Sequence, residues 1–214
     1  MASYIRPKVP GATVFFTVCL ERRGATLLLD ELPRLRRAVA ETLARHPFRI
    51  DAFVVLPDHL HAIWTLPPGD SDFGTRWGSI KSKFSRAALK ARGWPKDRSI
   101  VFGDGVGWNP TLRDRHRCRR VGLHPTAPVD ARSPSKIRKG DAGIWQRRFW
   151  EHHIRDAADL DTHLRYCWWN PVKHGLVARP TDWAASSIHR DIRAGRVEPE
   201  WAGGCPEGEF GEAA

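Results

Sequence analysis

FRIDAFVVLPDHLHAIWTLP, residues 48–67, contains two runs of β-branched and aromatic residues, Phe48 to Leu56 and His59 to Leu66. Pro57-Asp58 separates them, and this pattern predicts a β-hairpin. In the second run His59 and His61 are two apart, so alternation along a strand puts both imidazoles on one face. Two neutral ring nitrogens on one rigid wall suit a divalent metal. A chain with ten histidines also produces His-x-His by chance, and then the pair is simply two polar strand residues.

Working outward, TVFFTVCL (Thr13 to Leu20) follows Pro10-Gly11 and reads as a first strand entering from a turn. Leu32, Leu35, Val39 and Leu43 recur at three-to-four spacing between charged residues, which predicts an amphipathic helix over Leu32 to Arg45. Beyond the hairpin, Asp72 is placed to cap a helix over Phe73 to Ala91. Trp77, Ile80, Phe84 and Ala88 share its apolar face, and Arg76, Lys81, Lys83, Arg86 and Lys90 lie around them. Between Gly93 and Gly143 periodicity vanishes into Gly, Pro, Arg and Asp. Residues 93–143 therefore read as a long, basic, mobile insertion, on its plainest reading a solvated loop.

Order returns in IWQRRFWEHHIR (residues 144–155), with a strand from Phe149 to Ile154. Asp156 and Asp159 then provide a cap and a first-turn charge for the helix AADLDTHLRYCWWN. Leu160, Leu164 and Cys167 form its expected buried stripe, and Pro171 is expected to stop it. Tyr166 and Asn170 are four apart, one turn along the same side. If that side packs over His59 and His61, Asn170 adds an oxygen ligand and Tyr166 points at whatever the metal polarises. Otherwise Tyr166 is a packed ring and Asn170 a helix-ending residue. A phenol with an ordinary pKa of about 10 is a poor nucleophile at neutral pH, and a nearby cation answers that need. Residues 178–214 read as a C-terminal extension packed by isolated aromatics such as Trp183 and Trp201.

Thirty-five Lys and Arg face 24 Asp and Glu in 214 residues, a net charge of +11 that attracts polyanions. The charge is spread through globular-looking segments and forms no basic amphipathic helix of the membrane-surface kind, which favours nucleic acid. No apolar stretch approaches the roughly 20 residues of a membrane span, and Met1 to Pro10 has no hydrophobic signal core, so the expected location is the cytoplasm. Cys19, Cys118, Cys167 and Cys205 form no CxxC pair, which argues against a zinc knuckle or a disulfide framework. The length suits a single domain.

Three ordered segments, LPDHLHAIWTLP, IWQRRFWEHHIR and YCWWNPVKHGLV, together resemble the REP-associated tyrosine transposases, a group of the single-tyrosine HUH transposases. The resemblance spans roughly residues 13–92 and 144–201. It implies an α+β, ferredoxin-like antiparallel sheet bearing the metal histidines and a helix delivering the tyrosine. By motif, His59 and His61 are the HUH histidines, Leu60 the intervening hydrophobic residue, Tyr166 the nucleophile and Asn170 the polar ligand. It further implies Mg or Mn as cofactor, single-stranded hairpin DNA as partner, a 5′-phosphotyrosine intermediate, and a monomer or a homodimer. The chain departs from the pattern at Trp168-Trp169 and in the length of 93–143. Expected DNA contacts are Arg76, Lys81, Lys83 and Arg86 on the second long helix, and Arg147, Arg148, Lys173 and His174 beside the catalytic segment. Two other classes fit the same residues: a hairpin-binding protein without cleavage, and a metal-dependent phosphodiesterase that uses water.

Overall fold

The structure, a computed structural model, describes residues 7–92, 142–204, 206–208 and 210–211; the expected insertion, apart from its last two residues, lies outside them. Four strands, β1 (Thr13–Cys19), β2 (Arg49–Val55), β3 (His59–Thr65) and β4 (Trp150–His153), form one antiparallel sheet in the order β2-β3-β1-β4. Between β1 and β2 run a short helix α1 (Leu27–Asp30) and α2 (Leu32–Arg45); α3 (Phe73–Ala91) joins β3 to β4. After β4 come α4 (Ala157–Lys173), a 3-10 turn at Pro180–Asp182 and α5 (Ile188–Arg193). With its inner strands β1 and β3, this is the ferredoxin-like α+β arrangement that the resemblance implies.

Strand alternation divides the core in two. Val14, Phe16, Val18, Leu60, Ala62 and Trp64 point to the α2–α3 side, where Trp64 stacks on Trp77 with ring centroids 4.2 Å apart and meets Phe48 at 4.3 Å. Phe15, Ala52, Val54 and Ile63 point to the other side, which α4 and the C-terminal segment cover. Both faces are dry, which is why TVFFTVC reads as a continuous apolar run. Full burial of each such side chain stabilises the fold by about 1.5–3 kcal/mol.

Asp72 caps α3 by accepting from the Thr75 amide at 2.9 Å, and Asp156 caps α4 by accepting from the Asp159 amide at 2.9 Å. Pro171 does not stop α4, which continues to Lys173. In a last turn, a proline's missing amide removes one backbone bond, and the amides of His174 and Leu176 still close on the carbonyls of Asn170 and Pro171. The C-terminal extension holds more order than its sequence suggests. Its Ala185–Ser187 stretch pairs along β2, through Val55 N–H to Ala185 O and Ser187 N–H to Phe53 O, and so covers an exposed sheet edge. Among the described residues no helix is long and apolar enough to cross a membrane.

Arg76 corrects an expectation. It is 3% exposed, and its guanidinium donates to Asp70 Oδ2, Asp72 O and Pro47 O at 2.6–2.7 Å. It joins the start of α3 to the α2–β2 connection and presents no charge to DNA. Arg76→Ala leaves two carbonyls and a carboxylate without their donor, and should lower unfolding stability by about 2–3 kcal/mol in a urea titration.

Candidate active site

Sheet register composes the site. Val54, His61, Thr17 and Trp150 lie in one row across the strands, and Ala52, Ile63, Phe15 and His152 in the row beside it. All face α4. The helix answers with Asp159, His163, Tyr166 and Asn170, spaced 4, 3 and 4 residues apart and all buried. That spacing is one helical stripe, and it is polar. Of the stripe expected from the sequence, Cys167 is fully buried, and Leu160 and Leu164 are half-buried beside it.

The two strand histidines are buried, with ring centroids 5.1 Å apart and planes at 83°. Their tautomers follow from their partners. Asp58 Oδ1 lies 2.7 Å from His59 Nδ1; an ionised carboxylate only accepts, so Nδ1 carries the proton and Nε2 the lone pair. Burial opposes charge on Asp58, but hydrogen bonds from His59 and the Gly24 amide outweigh it and hold the carboxyl below its ordinary value. Thr17 donates its single hydroxyl proton to Phe210 O at 2.6 Å, so at its 2.9 Å contact with His61 Nδ1 it must accept. His61 is therefore also protonated on Nδ1. Each ring is thus held at Nδ1 by an oxygen partner, which fixes its orientation.

Tyr166 is 1% exposed, its ring edge-on to His61 at 5.2 Å. Eight residues further along the chain, His174 sits 5.0 Å from His59. Asn170 is fully buried one turn beyond Tyr166 on the same helix. Lys173 Nζ donates to the Tyr166 hydroxyl at 2.9 Å. Phe210 stacks on the other side of the phenol, 3.6 Å between centroids and 10° between planes. His59, His61 and Tyr166 thus come together, with Asn170 buried one turn along the same helix. Asp58, Thr17 and Phe210 were not legible in the sequence: Asp58 stands next to His59 in PDHLH, but Thr17 and Phe210 arrive through register and chain return.

A second polar cluster lies along the same stripe. Asp159 Oδ2 is 2.9 Å from His152 Nε2, Asp159 Oδ1 is 3.0 Å from His163 Nδ1, and the two rings stack 4.6 Å apart. Two imidazoles and one carboxylate whose ligand atoms all lie within 4.8 Å of one another are compatible with a metal. Burial works against the Asp159 charge, yet hydrogen bonds from His152 and from the amide and side chain of Arg155 hold it far below the ordinary carboxylate range. Burial pushes the His163 imidazole below its usual value, leaving it neutral. Neither His152 nor His163 stood out in the sequence, because one lies on a strand and the other on the helix that follows it, and no fixed spacing links residues across such a turn.

The remaining basic residues divide. Arg86, Arg147 and Arg148 are exposed. Lys83 pairs with Glu41 at 3.3 Å, and Lys81 donates to Gln146 O at 3.0 Å beside the Trp145 and Phe149 rings.

No family model matches the chain. It is 35% identical over 212 residues to the REP-associated tyrosine transposase of Escherichia coli (strain K12), covering 99% of this chain and 98% of that one. A relative in Haemophilus influenzae bearing the same family name is 35% identical over 207 residues, covering 97% and 96%. Among solved structures, a REP-associated tyrosine transposase bound to a REP hairpin superposes with a TM-score of 0.72 and 35% identity, over 100% of this chain and 99% of that one.

Two outcomes follow from this geometry. Phe210→Ala uncovers the phenol and should raise the rate of Tyr166 nitration by tetranitromethane several-fold, read by mass spectrometry of the Tyr166 peptide. Asp58 and Asp159 have depressed folded values, so their contribution to stability is complete above the unfolded carboxylate pKa of about 4. It is lost as pH falls toward the folded values. His163, held neutral by burial, adds a loss that begins as pH falls through the free imidazole value of about 6.5, so the urea midpoint should decline in two steps, below about pH 6.5 and again below about pH 4, the second step smaller in Asp159→Asn.

Proposed function

The chain belongs to the family of REP-associated tyrosine transposases, and on that premise we propose that it cleaves and rejoins single-stranded hairpin DNA through a covalent bond to Tyr166. The observation that carries this reading is the Tyr166 phenol lying against His61, with an ammonium on its oxygen. Tyr166 Oη attacks a phosphorus, the P–O bond to the 3′ oxygen breaks, and a 5′-phosphotyrosine and a free 3′ hydroxyl result. The new linkage is again a phosphodiester, so a 3′ hydroxyl can attack it and release the tyrosine, joining strands without ATP.

His59, His61 and Asn170 would hold the divalent metal, Mg2+ or Mn2+. When bound, it supplies charge withdrawal from the phosphate oxygens. The donor set suits Mn2+ more readily than Mg2+, which prefers oxygen: two imidazoles and a carboxamide oxygen leave positions for phosphate and water. The protein's own residues do the rest. Asp58 and Thr17 fix the imidazole planes, so no reorientation is needed when phosphate arrives. Lys173 places positive charge where the phenolic oxygen becomes anionic. The enclosed ring keeps water from competing for the phosphorus. Arg86, Arg147, Arg148 and His174 are exposed and available to DNA phosphates. Tyr166 and the histidines meet within one chain, which supports a complete site in a monomer.

With hairpin DNA and Mg2+ or Mn2+, the wild type should form a covalent adduct on a denaturing gel and Tyr166→Phe none. Cleavage that persists in Tyr166→Phe would instead mark a water-using phosphodiesterase. Lys173→Gln should slow adduct formation by roughly 10- to 100-fold, an effect that rising pH partly restores as hydroxide takes over deprotonation.

A further inference from the structure

The cluster at the other end of the α4 stripe has no part in the chemistry just described. His152 comes from β4, Asp159 and His163 from the first turns of α4, and their ligand atoms lie within 4.8 Å of one another. We propose that His152, Asp159 and His163 form a second metal site, selective for a borderline divalent ion such as Zn2+ or Co2+, that ties β4 to the start of the catalytic helix.

Three features support the assignment. First, the donors are already gathered. One Asp159 oxygen is 2.9 Å from His152 Nε2 and the other 3.0 Å from His163 Nδ1, and one ligand atom from each residue lies within 4.8 Å of the others, so a small inward movement brings them to the roughly 3–3.5 Å separation of donors around one ion. Second, the donors are of the right kind. Two imidazoles with one carboxylate suit Zn2+ or Co2+ better than Mg2+ or Ca2+, which prefer oxygen shells. Third, there is access. The three residues line a cleft of about 560 Å³ shared with Trp150, Arg155 and Phe210, open to water that can complete the shell.

On binding, each ring gives its metal-facing nitrogen to the ion and carries its proton on the other. For His163 that means giving up the 2.8 Å hydrogen bond that Nδ1 donates to the Asp159 carbonyl and moving the proton to Nε2, so the ion must replace that bond. Arg155, whose guanidinium reaches Asp159 Oδ2 at 3.1 Å, is largely exposed and free to swing away. Asp159, His163, Tyr166 and Asn170 share one stripe, so an ion at its first half would fix the register of its second.

The inference stands apart from the assignment of His59, His61 and Asn170, and the test separates them. Metal-free, tag-free protein is titrated with Co2+ and bound metal counted after gel filtration. His152→Gln should hold one ion fewer per chain than wild type, and His59→Gln should lose a different one, with losses adding in the double variant. Zn2+ should raise the melting temperature of wild type by more than that of His152→Gln. As a check independent of any variant, Zn2+ should protect His152 and His163 of the wild type from diethyl pyrocarbonate. Unchanged stoichiometry in His152→Gln, or no protection of these two histidines, overturns the proposal. Loss of an ion only in His59→Gln overturns it too while leaving the first site intact.

Discussion

The architecture depends on a polar stripe buried against a sheet. Asp159, His163, Tyr166 and Asn170 are removed from water on α4, and burying unpartnered polar groups costs kilocalories each. The sheet must therefore present partners, and it does. His152 receives the first turn, the His61 ring receives the phenol, and His59 lies where the helix ends. The apolar residues around them, Phe15, Ile63, Val54 and Cys167, seal the layer. They lower the local dielectric, which strengthens each polar contact that is made.

The opposite face works differently. Between the sheet and α2–α3 the core is aromatic and aliphatic, with Trp64, Trp77, Phe16 and Phe84 fully buried. Stability is concentrated there, leaving the α4 side to carry groups whose arrangement serves chemistry. Arg76 belongs to the stable half despite its charge. Its guanidinium holds two backbone carbonyls and Asp70, and no phosphate can reach it.

What was legible in the sequence follows from which interactions are local. Strands β1 to β4 and helices α2 and α3 fall within a residue or so of their apolar patterns, because a half-buried helix and a doubly covered strand each leave a periodic trace. His59 with His61, and Tyr166 with Asn170, were readable as pairs because two- and four-residue spacings set a shared side by geometry alone. Family resemblance, not spacing, brought the pairs together. The stripe on α4 is half legible: apolar periodicity picks Cys167, which is fully buried, and Leu160 and Leu164, which flank the core, but it passes over Asp159, His163, Tyr166 and Asn170, whose burial depends on partners that the sheet supplies. Thr17 could not be found, since nothing in TVFFTVC says which residue it opposes until the β1–β3 register places it across from His61.

That same threonine joins three parts of the molecule. Its hydroxyl gives its proton to the Phe210 carbonyl and its lone pair to His61, so the C-terminal segment, strand β1 and a candidate metal ligand form one hydrogen-bonded line. Phe210 also covers the phenol and lies 5.2 Å from His163. One residue of the tail therefore touches the proposed nucleophile, the threonine that orients His61 and the second histidine cluster. If that segment lifts, the Tyr166 ring is uncovered and Thr17 regains a mobile proton. His61 is then no longer bound to a single tautomer. Access to the tyrosine and the ligand-ready state of His61 are thus set by the same contact, and they pull in opposite directions. A working site must let DNA replace Phe210 over the phenol while some acceptor, water or phosphate, takes the Thr17 proton in its place.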